Sequence, residues 1–166
     1  EELDIQSKFS ARSELNLEQE KIYLVFVGRL TQIKRPDRLI EIARHLKVKH
    51  HNVEFLIVGA GEQFEEIQGL AMRESLPLIF LGWRNDIGRI LSASDIAILC
   101  SDNEGIPLTL IQASQAGLPI VSTNVGSVSD IVLDGVTGIL TGVSANGLIQ
   151  GVSKLLDNPG LRARLG

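Results

Sequence analysis

The sequence has a single cysteine, Cys100, which excludes an internal disulfide framework and a Cys-rich zinc site. It has no apolar run approaching the roughly 18 residues that span a bilayer. Its opening segment, Glu1-Glu2-Leu3-Asp4, carries three acids where a secretory signal would be basic. A large excess of either charge is also missing. The net charge is −4 and the pI near 5.4, against values above about 9 for domains built to hold nucleic acid. No internal repeat and no low-complexity tract is present. What remains is 166 residues, 44% hydrophobic and 22% charged, the size and makeup of one ordered globular domain. A chain of this length typically buries about 68–70% of its unfolded surface, enough for a full core. A soluble, cytoplasmic domain without a nucleic-acid partner is the expectation.

Short apolar runs alternate with amphipathic stretches. Ile22 to Val27 is continuously apolar and ends at Gly28, the pattern of a strand buried on both faces, as parallel sheets require. Pro36 suits the first position of a helix in which Leu39, Ile40, Ala43 and Leu46 share a face. The spacing predicts further strands at Glu54–Val58, Ile79–Leu81, Ile96–Leu99, Ile120–Ser122 and Thr137–Leu140. Helices are expected over Glu62–Ser75, Asp86–Ala93 and Pro107–Ala116, with a last one capped by Ser144. Residues 1–20 read as a linker followed by a helical turn at Ala11–Leu15. The rhythm predicts a single Rossmann-like α/β domain, with a parallel sheet of about six strands and helices on both faces.

Ligands of such sheets sit beyond the carboxyl ends of the strands. Seven Lys or Arg residues face two acids between Arg29 and Lys49, and no charged side chain occurs from Gly105 to Ser129. The basic stretch reads as a solvated helix face or as one side of an anion site. Gly59-Ala60-Gly61 invites comparison with a dinucleotide fingerprint, but Phe64 stands where the third glycine belongs. The segment from Glu104 to Gln112 is more informative. Pro107 lacks an N–H, so Leu108, Thr109 and Leu110 are expected to offer free amides at a helix N-terminus, which favours an anion. Steps of four put Leu108 and Gln112 on one helix face in line with Glu104. Arg29 and Lys34, after the first strand, could hold a diphosphate against them and stabilise charge developing on a leaving group.

At these residues the chain resembles the C-terminal, nucleotide-binding half of a family 4 (group 1) retaining glycosyltransferase of the GT-B architecture. The similar segments are Gly28-Arg29-Leu30 followed by Lys34, Val58-Gly59-Ala60-Gly61, Phe80-Leu81-Gly82 and Ala93-Ser94-Asp95-Ile96. Glu104-Gly105-Ile106-Pro107 after Ser101, Ala116-Gly117-Leu118-Pro119-Ile120-Val121, Asn124-Val125-Gly126 and Asp134-Gly135-Val136-Thr137-Gly138 follow in family order. The resemblance implies that Arg29 and Lys34 hold the diphosphate of a UDP-sugar or GDP-sugar and that Glu104 holds a hydroxyl of the sugar. It also implies that Gly28, Gly105 and the amides of Leu108 and Thr109 line the phosphates, that Gln112 meets the ribose, and that Trp83 and Arg84 border the base. By themselves Trp83 and Arg84 read equally well as an exposed turn. Transfer is then metal-independent, with no cofactor, and runs from the nucleotide sugar to an unidentified acceptor in polysaccharide or glycolipid synthesis.

Two positions depart from the pattern. Gln112 stands where the family has a second glutamate, and Gly126-Ser127-Val128-Ser129-Asp130 lacks a glycine and a proline of the family's loop. A non-catalytic nucleotide-sugar-binding module of the same fold is the alternative, and Gln112 favours it. A flavodoxin-like domain is disfavoured because Gly28-Arg29-Leu30 replaces an acidic pair or phosphate loop. Residues 21–166 are expected to be the donor-binding domain. The residues before Ile22 are too few for the acceptor domain, so the chain is expected to be an isolated domain or a fragment, inactive alone. Peripheral membrane association would come through the missing half. His45, His50 and His51 read as surface residues, Cys100 as an inert core thiol, and Asp86 and Asp95 as helix-cap and turn residues.

Overall fold

The computed structural model describes residues 3–166. The chain runs α1 (Lys8–Glu14), β1 (Ile22–Val27), α2 (Pro36–Lys49), β2 (Val53–Val58), α3 (Phe64–Arg73), β3 (Leu78–Gly82) and α4 (Ile87–Ala93). It continues β4 (Ile96–Leu99), α5 (Leu108–Gln115), β5 (Ile120–Thr123), β6 (Gly138–Thr141), α6 (Ala145–Leu156) and α7 (Pro159–Leu165). One-turn 3-10 helices lie at Gln32–Lys34 and Val128–Asp130.

All six strands are parallel, in the order β3-β2-β1-β4-β5-β6. The order reverses between β1 and β4, so a crevice opens beyond their carboxyl ends. Both sheet faces are covered, which explains the unbroken apolar run of β1. Leu24 and Phe26 pack with α2, α3 and α6 residues such as Leu39, Ile67 and Val152. Tyr23 and Val25 pack on the other face with Ile90, Leu110 and Ala113 of α4 and α5. Among the described residues no helix is long and apolar enough to cross a membrane.

The Rossmann-like reading is correct, and the element bounds differ from expectation mostly by one or two residues. Two differences are larger. The expected turn at Ala11–Leu15 is part of a two-turn helix, Lys8–Glu14, whose first turn Ser7 caps by accepting from the Ser10 amide. After α6 the chain forms another helix, α7, which was not anticipated. Asn158 caps it by accepting from the Leu161 amide, and Pro159 occupies its start, a recognised initiation signal.

Asp95 lies in the turn before β4, as expected, but its side chain does more than shape that turn. Its Oδ2 accepts from the Tyr23 amide (2.8 Å) and from Arg12 Nη2 (2.6 Å), and its Oδ1 from Lys8 Nζ (2.7 Å). Arg12 is 3% exposed, donates also to the carbonyls of Ala93 and Gln19, and lies over the Tyr23 ring. A guanidinium so far from water is tolerable only because its donors are met. The network joins α1 to the N-terminal end of β1 and to the turn before β4. Removing one partner of such a pair leaves an uncompensated charge, so Asp95→Ala should lower unfolding stability by about 3–5 kcal/mol. Urea unfolding of the two proteins checks this, and a change within 1 kcal/mol would contradict it.

Candidate functional site

The loops after β1, β2 and β3 are stitched together at backbone level. Gly28 donates to the Val58 carbonyl, Leu30 to Ala60, Gly59 to Gly82, and Gln63 to Leu30. This close approach is why glycines stand at 59 and 61. Gly59 has φ +128°, and a Cβ there would lie 2.0 Å from the Gly28 carbonyl oxygen; one on Gly61 would lie 2.3 Å from that of Leu30. The glycine pair is therefore loop packing rather than a dinucleotide fingerprint.

Together these loops bound a cavity of about 540 Å³, lined by Gly28, Arg29, Gly59, Trp83, Arg84 and Ile87 among others. That volume lies within the range of small-molecule sites. Arg29 is exposed, and its side chain makes no hydrogen bond or ion pair among the described residues. Trp83 is 77% exposed. Arg84 is folded onto Asp86, with Nε on Oδ1 at 2.7 Å and Nη2 on Oδ2 at 2.6 Å. Asp86 precedes α4, but its side chain makes no cap hydrogen bond. The Arg84 hydrogen bond holds the Asp86 carboxyl below the ordinary carboxylate range.

Lys34 and Glu104 meet at the mouth of the β1–β4 crevice. Lys34 Nζ lies 2.6 Å from Oε1 and 2.8 Å from Oε2 of Glu104, and Ser101 Oγ donates to Oε1 at 2.5 Å. The Glu104 side chain is 6% exposed and that of Lys34 26%. Gly126, with φ +53°, lets the loop after β5 touch this one, since a Cβ there would lie 1.7 Å from the Glu104 carbonyl oxygen.

Three residues that the sequence reading did not single out hold this arrangement. Arg38 is 3% exposed and donates to the carbonyls of Cys100 and Val143 and to Asp102 Oδ1. Arg35, in the left-handed region at φ 50°, bridges Asp37 and Asp102. The Asp102 amide donates to the Ile33 carbonyl. The Lys34 turn and the Glu104 loop are thus pinned to each other. The basic stretch is in part this clamp, so neither a solvated face nor an anion site describes it fully. Cys100 is fully buried, and burial pushes its thiol up.

The start of α5 differs from expectation. Pro107 precedes the helix, with φ −77° and ψ 85°, and the Leu108 amide donates back to the Ile106 carbonyl at 2.9 Å. This is an inverse γ-turn. The Leu110 amide donates to the Pro107 carbonyl. Of the three amides expected to be free, only that of Thr109 lacks a partner among the described residues. Gly105 and Leu108 are exposed, and Gln112 is half-buried on α5 with no side-chain hydrogen bond among the described residues. The structure thus gathers Gly28, Arg29, Trp83 and Arg84 at the cavity, pairs Lys34 with Glu104, and sets Gly105, Leu108, Thr109 and Gln112 along the loop and helix beyond.

An open crevice at the strand-order reversal is where doubly wound α/β domains take their ligands, and here it is edged by cations. Comparison with known proteins makes this specific. Residues 7–166 match the family model described as glycosyl transferases group 1, and the chain belongs to that family. It is 33% identical over 132 residues to the UDP-Gal:alpha-D-GlcNAc-diphosphoundecaprenol alpha-1,3-galactosyltransferase of Escherichia coli, covering 76% of this chain and 34% of that protein. It is 29% identical over 170 residues to the D-inositol 3-phosphate glycosyltransferase of Gordonia bronchialis, covering 94% and 37%. The chain therefore spans little more than a third of the length of these curated relatives. Among solved structures, the C-terminal domain of a glycosyl transferase group 1 family protein from Francisella tularensis shares the fold at TM-score 0.84 and 19% identity, covering 98% of this chain and 89% of that one. An Anabaena protein solved in complex with UDP and glucose shares it at TM-score 0.85 and 22% identity, covering 95% and 44%.

The clamp yields a pH dependence. Burial pushes the Asp102 carboxyl up, and hydrogen bonds from Arg35 and Arg38 more than reverse this, leaving it below its usual value. A depressed folded value means that the unfolded chain binds the proton first as pH falls. Its stabilisation is therefore complete above the unfolded carboxylate value of about 3.9 and is lost as pH falls through the lower folded value. Asp102→Asn should lower the melting temperature at pH 7 and flatten its decline below about pH 4. Parallel melting curves of the two proteins at every pH would refute this.

Proposed function

We propose that this chain is the donor-binding half of a retaining glycosyltransferase that moves a sugar from a nucleoside diphosphate sugar to an acceptor held by the part of the protein it does not span. The observation that carries the reading is the Lys34–Glu104 pair at the strand-order reversal, with Arg29, whose guanidinium has no partner among the described residues, on the same segment after β1. Lys34 has three N–H donors and uses two on Glu104, so one remains for a phosphate oxygen. Among the described residues Glu104 Oε2 accepts only from Lys34 and keeps a lone pair for a sugar hydroxyl. Pairing and ligand binding are therefore compatible.

In the transfer, the bond between the anomeric carbon and the phosphate oxygen breaks and its electron pair leaves with the diphosphate. The acceptor oxygen bonds to the same carbon and gives up its proton to the departing diphosphate. In this reading Arg29 brings the uncompensated positive charge to the departing diphosphate and Lys34 its remaining N–H donor, and donors aimed at developing charge lower such a barrier. Exposed Trp83, Ile106 and Leu108, each on a loop or helix start beyond the strands' carboxyl ends, are where the acceptor half would meet this one. The names of the relatives, both glycosyltransferases and one of them UDP-galactose-dependent, support the same reading.

Isothermal titration with UDP and GDP tests it directly. A charge-assisted contact is typically worth about 1.5–3 kcal/mol, so Arg29→Ala should weaken nucleoside diphosphate binding by roughly tenfold to a hundredfold. Absence of heat and of a thermal shift at millimolar nucleotide would refute the reading. Gln112 supplies a finer test. An ionised acceptor makes a stronger hydrogen bond than a carboxamide, so Gln112→Glu should tighten nucleotide binding several-fold if residue 112 meets the ribose. Equal or weaker binding by the variant would remove Gln112 from the site.

A further inference from the structure

Resting on the donor-site reading above, we infer that the Arg84–Asp86 pair selects the base: by withdrawing the carboxylate of the loop after β3, it makes the cavity take uracil in preference to guanine. The lining of the cavity contributes two guanidiniums, Arg29 and Arg84, and no carboxylate. Asp86 is the only acid in the loop between β3 and α4. Both of its oxygens are engaged by Arg84, and Arg89 Nη1 approaches Oδ2 at 3.4 Å.

Both bases offer acceptors that a guanidinium can meet, the carbonyls of uracil and O6 and N7 of guanine, so the difference between them lies in their donors. Guanine carries adjacent N1–H and N2–H₂ donors, a pair that a free carboxylate matches and that costs free energy when left unmet away from water. Uracil presents two carbonyl acceptors around a single N3–H. Arg84 has spent two of its five donors on Asp86 and keeps three, so it can serve a uracil carbonyl while the pair stays closed. One backbone carbonyl suffices for N3–H. The exposed indole of Trp83 offers a stacking face to either base, so it does not discriminate. The choice falls to the ion pair, whose side chains are 33% and 21% exposed, close enough to the surface to be altered without disturbing the core.

Titration of the chain with UDP and with GDP at one salt concentration tests the assignment. The wild type should bind UDP at least tenfold more tightly. Arg84→Leu releases Oδ1 of Asp86, leaving only Arg89 near Oδ2, and should reduce the GDP-to-UDP ratio of dissociation constants at least threefold. Asp86→Ala frees Arg84 but removes the acceptor, so its ratio should stay at or above the wild-type value. Melting temperatures of both variants report their folding. Equal wild-type affinities, an unchanged ratio in Arg84→Leu, or a reduced ratio in Asp86→Ala would each overturn the inference while nucleotide binding itself stands. If neither nucleotide binds the wild type, the donor-site reading falls and the base assignment with it.

Discussion

The guanidinium of Arg38 is almost wholly withdrawn from water, yet it sits at the ligand edge rather than in the middle of the core. It is met by the Cys100 and Val143 carbonyls and by Asp102. Those partners belong to the loop after β4 and the loop between β6 and α6, while Arg38 itself comes from α2. A buried cation is costly unless its donors are satisfied, so each loop has one low-energy position. Fixing the β4 loop fixes Ser101 and Glu104, and the Asp102–Ile33 backbone bond fixes the turn that carries Lys34. Thr123 Oγ1 adds a third strand by donating to the Ser101 carbonyl at 2.7 Å. The geometry of the polar site is thus inherited from a satisfied buried charge several residues away.

Charge pairing divides the cations of the site into two kinds. Lys34 and Arg84 are held by Glu104 and Asp86 and are positioned before any ligand arrives. Arg29 has no such partner among the described residues, so a ligand would order it at the cost of side-chain entropy. Pre-organised groups lose less on binding. Lys34, Glu104 and Arg84 therefore suit orientation and discrimination, whereas Arg29 suits the plain neutralisation of a diphosphate.

Much of the fold was legible because its signals are local. The apolar run Ile22–Val27 can only be buried on both sides, and Pro36 and Ser144 open helices by their own chemistry. Of the family segments, Gly28-Arg29-Leu30, Gly59-Ala60-Gly61, Glu104–Pro107 and Asn124-Val125-Gly126 fall in loops after strands, whereas Phe80-Leu81-Gly82 is part of β3 and Ala93–Ile96, Ala116–Val121 and Asp134–Gly138 lead into strands. What was missed depends on partners distant in sequence. Asp95 reads as a turn residue until Arg12 and Tyr23, more than seventy positions away, are brought onto it. Arg35 and Arg38 read as a solvated basic face until Asp102 and Cys100 meet them. Pro107 was misjudged for a subtler reason: proline suits both a helix start and the centre of an inverse γ-turn, and nothing local separates the two. The overlooked α7 is different, since Asn158-Pro159 was a readable signal.

The γ-turn at Pro107 changes what the start of α5 can offer an anion. With the Leu108 amide committed to Ile106 and the Leu110 amide to Pro107, of these three amides only that of Thr109 lacks a partner among the described residues, and the helix adds its dipole. A single amide and about half a unit of positive charge cannot balance a diphosphate. Lys34 is largely cancelled by Glu104, which leaves Arg29 as the principal uncompensated cation. For the diphosphate of the proposed donor, the chain's own site is therefore electrostatically short. Two sources can make up the difference: opening of the Ile106–Pro107–Leu108 turn to free a second amide, or donors from the part of the protein beyond this chain. The first is local and costs one hydrogen bond, worth about 0.5–1.5 kcal/mol net, which a doubly charged ligand can offset through the stronger bond it makes to the released amide. A turn that opens on the ligand would also carry the exposed side chains of Ile106 and Leu108 with it, coupling the phosphate site to the surface that the acceptor half would cover.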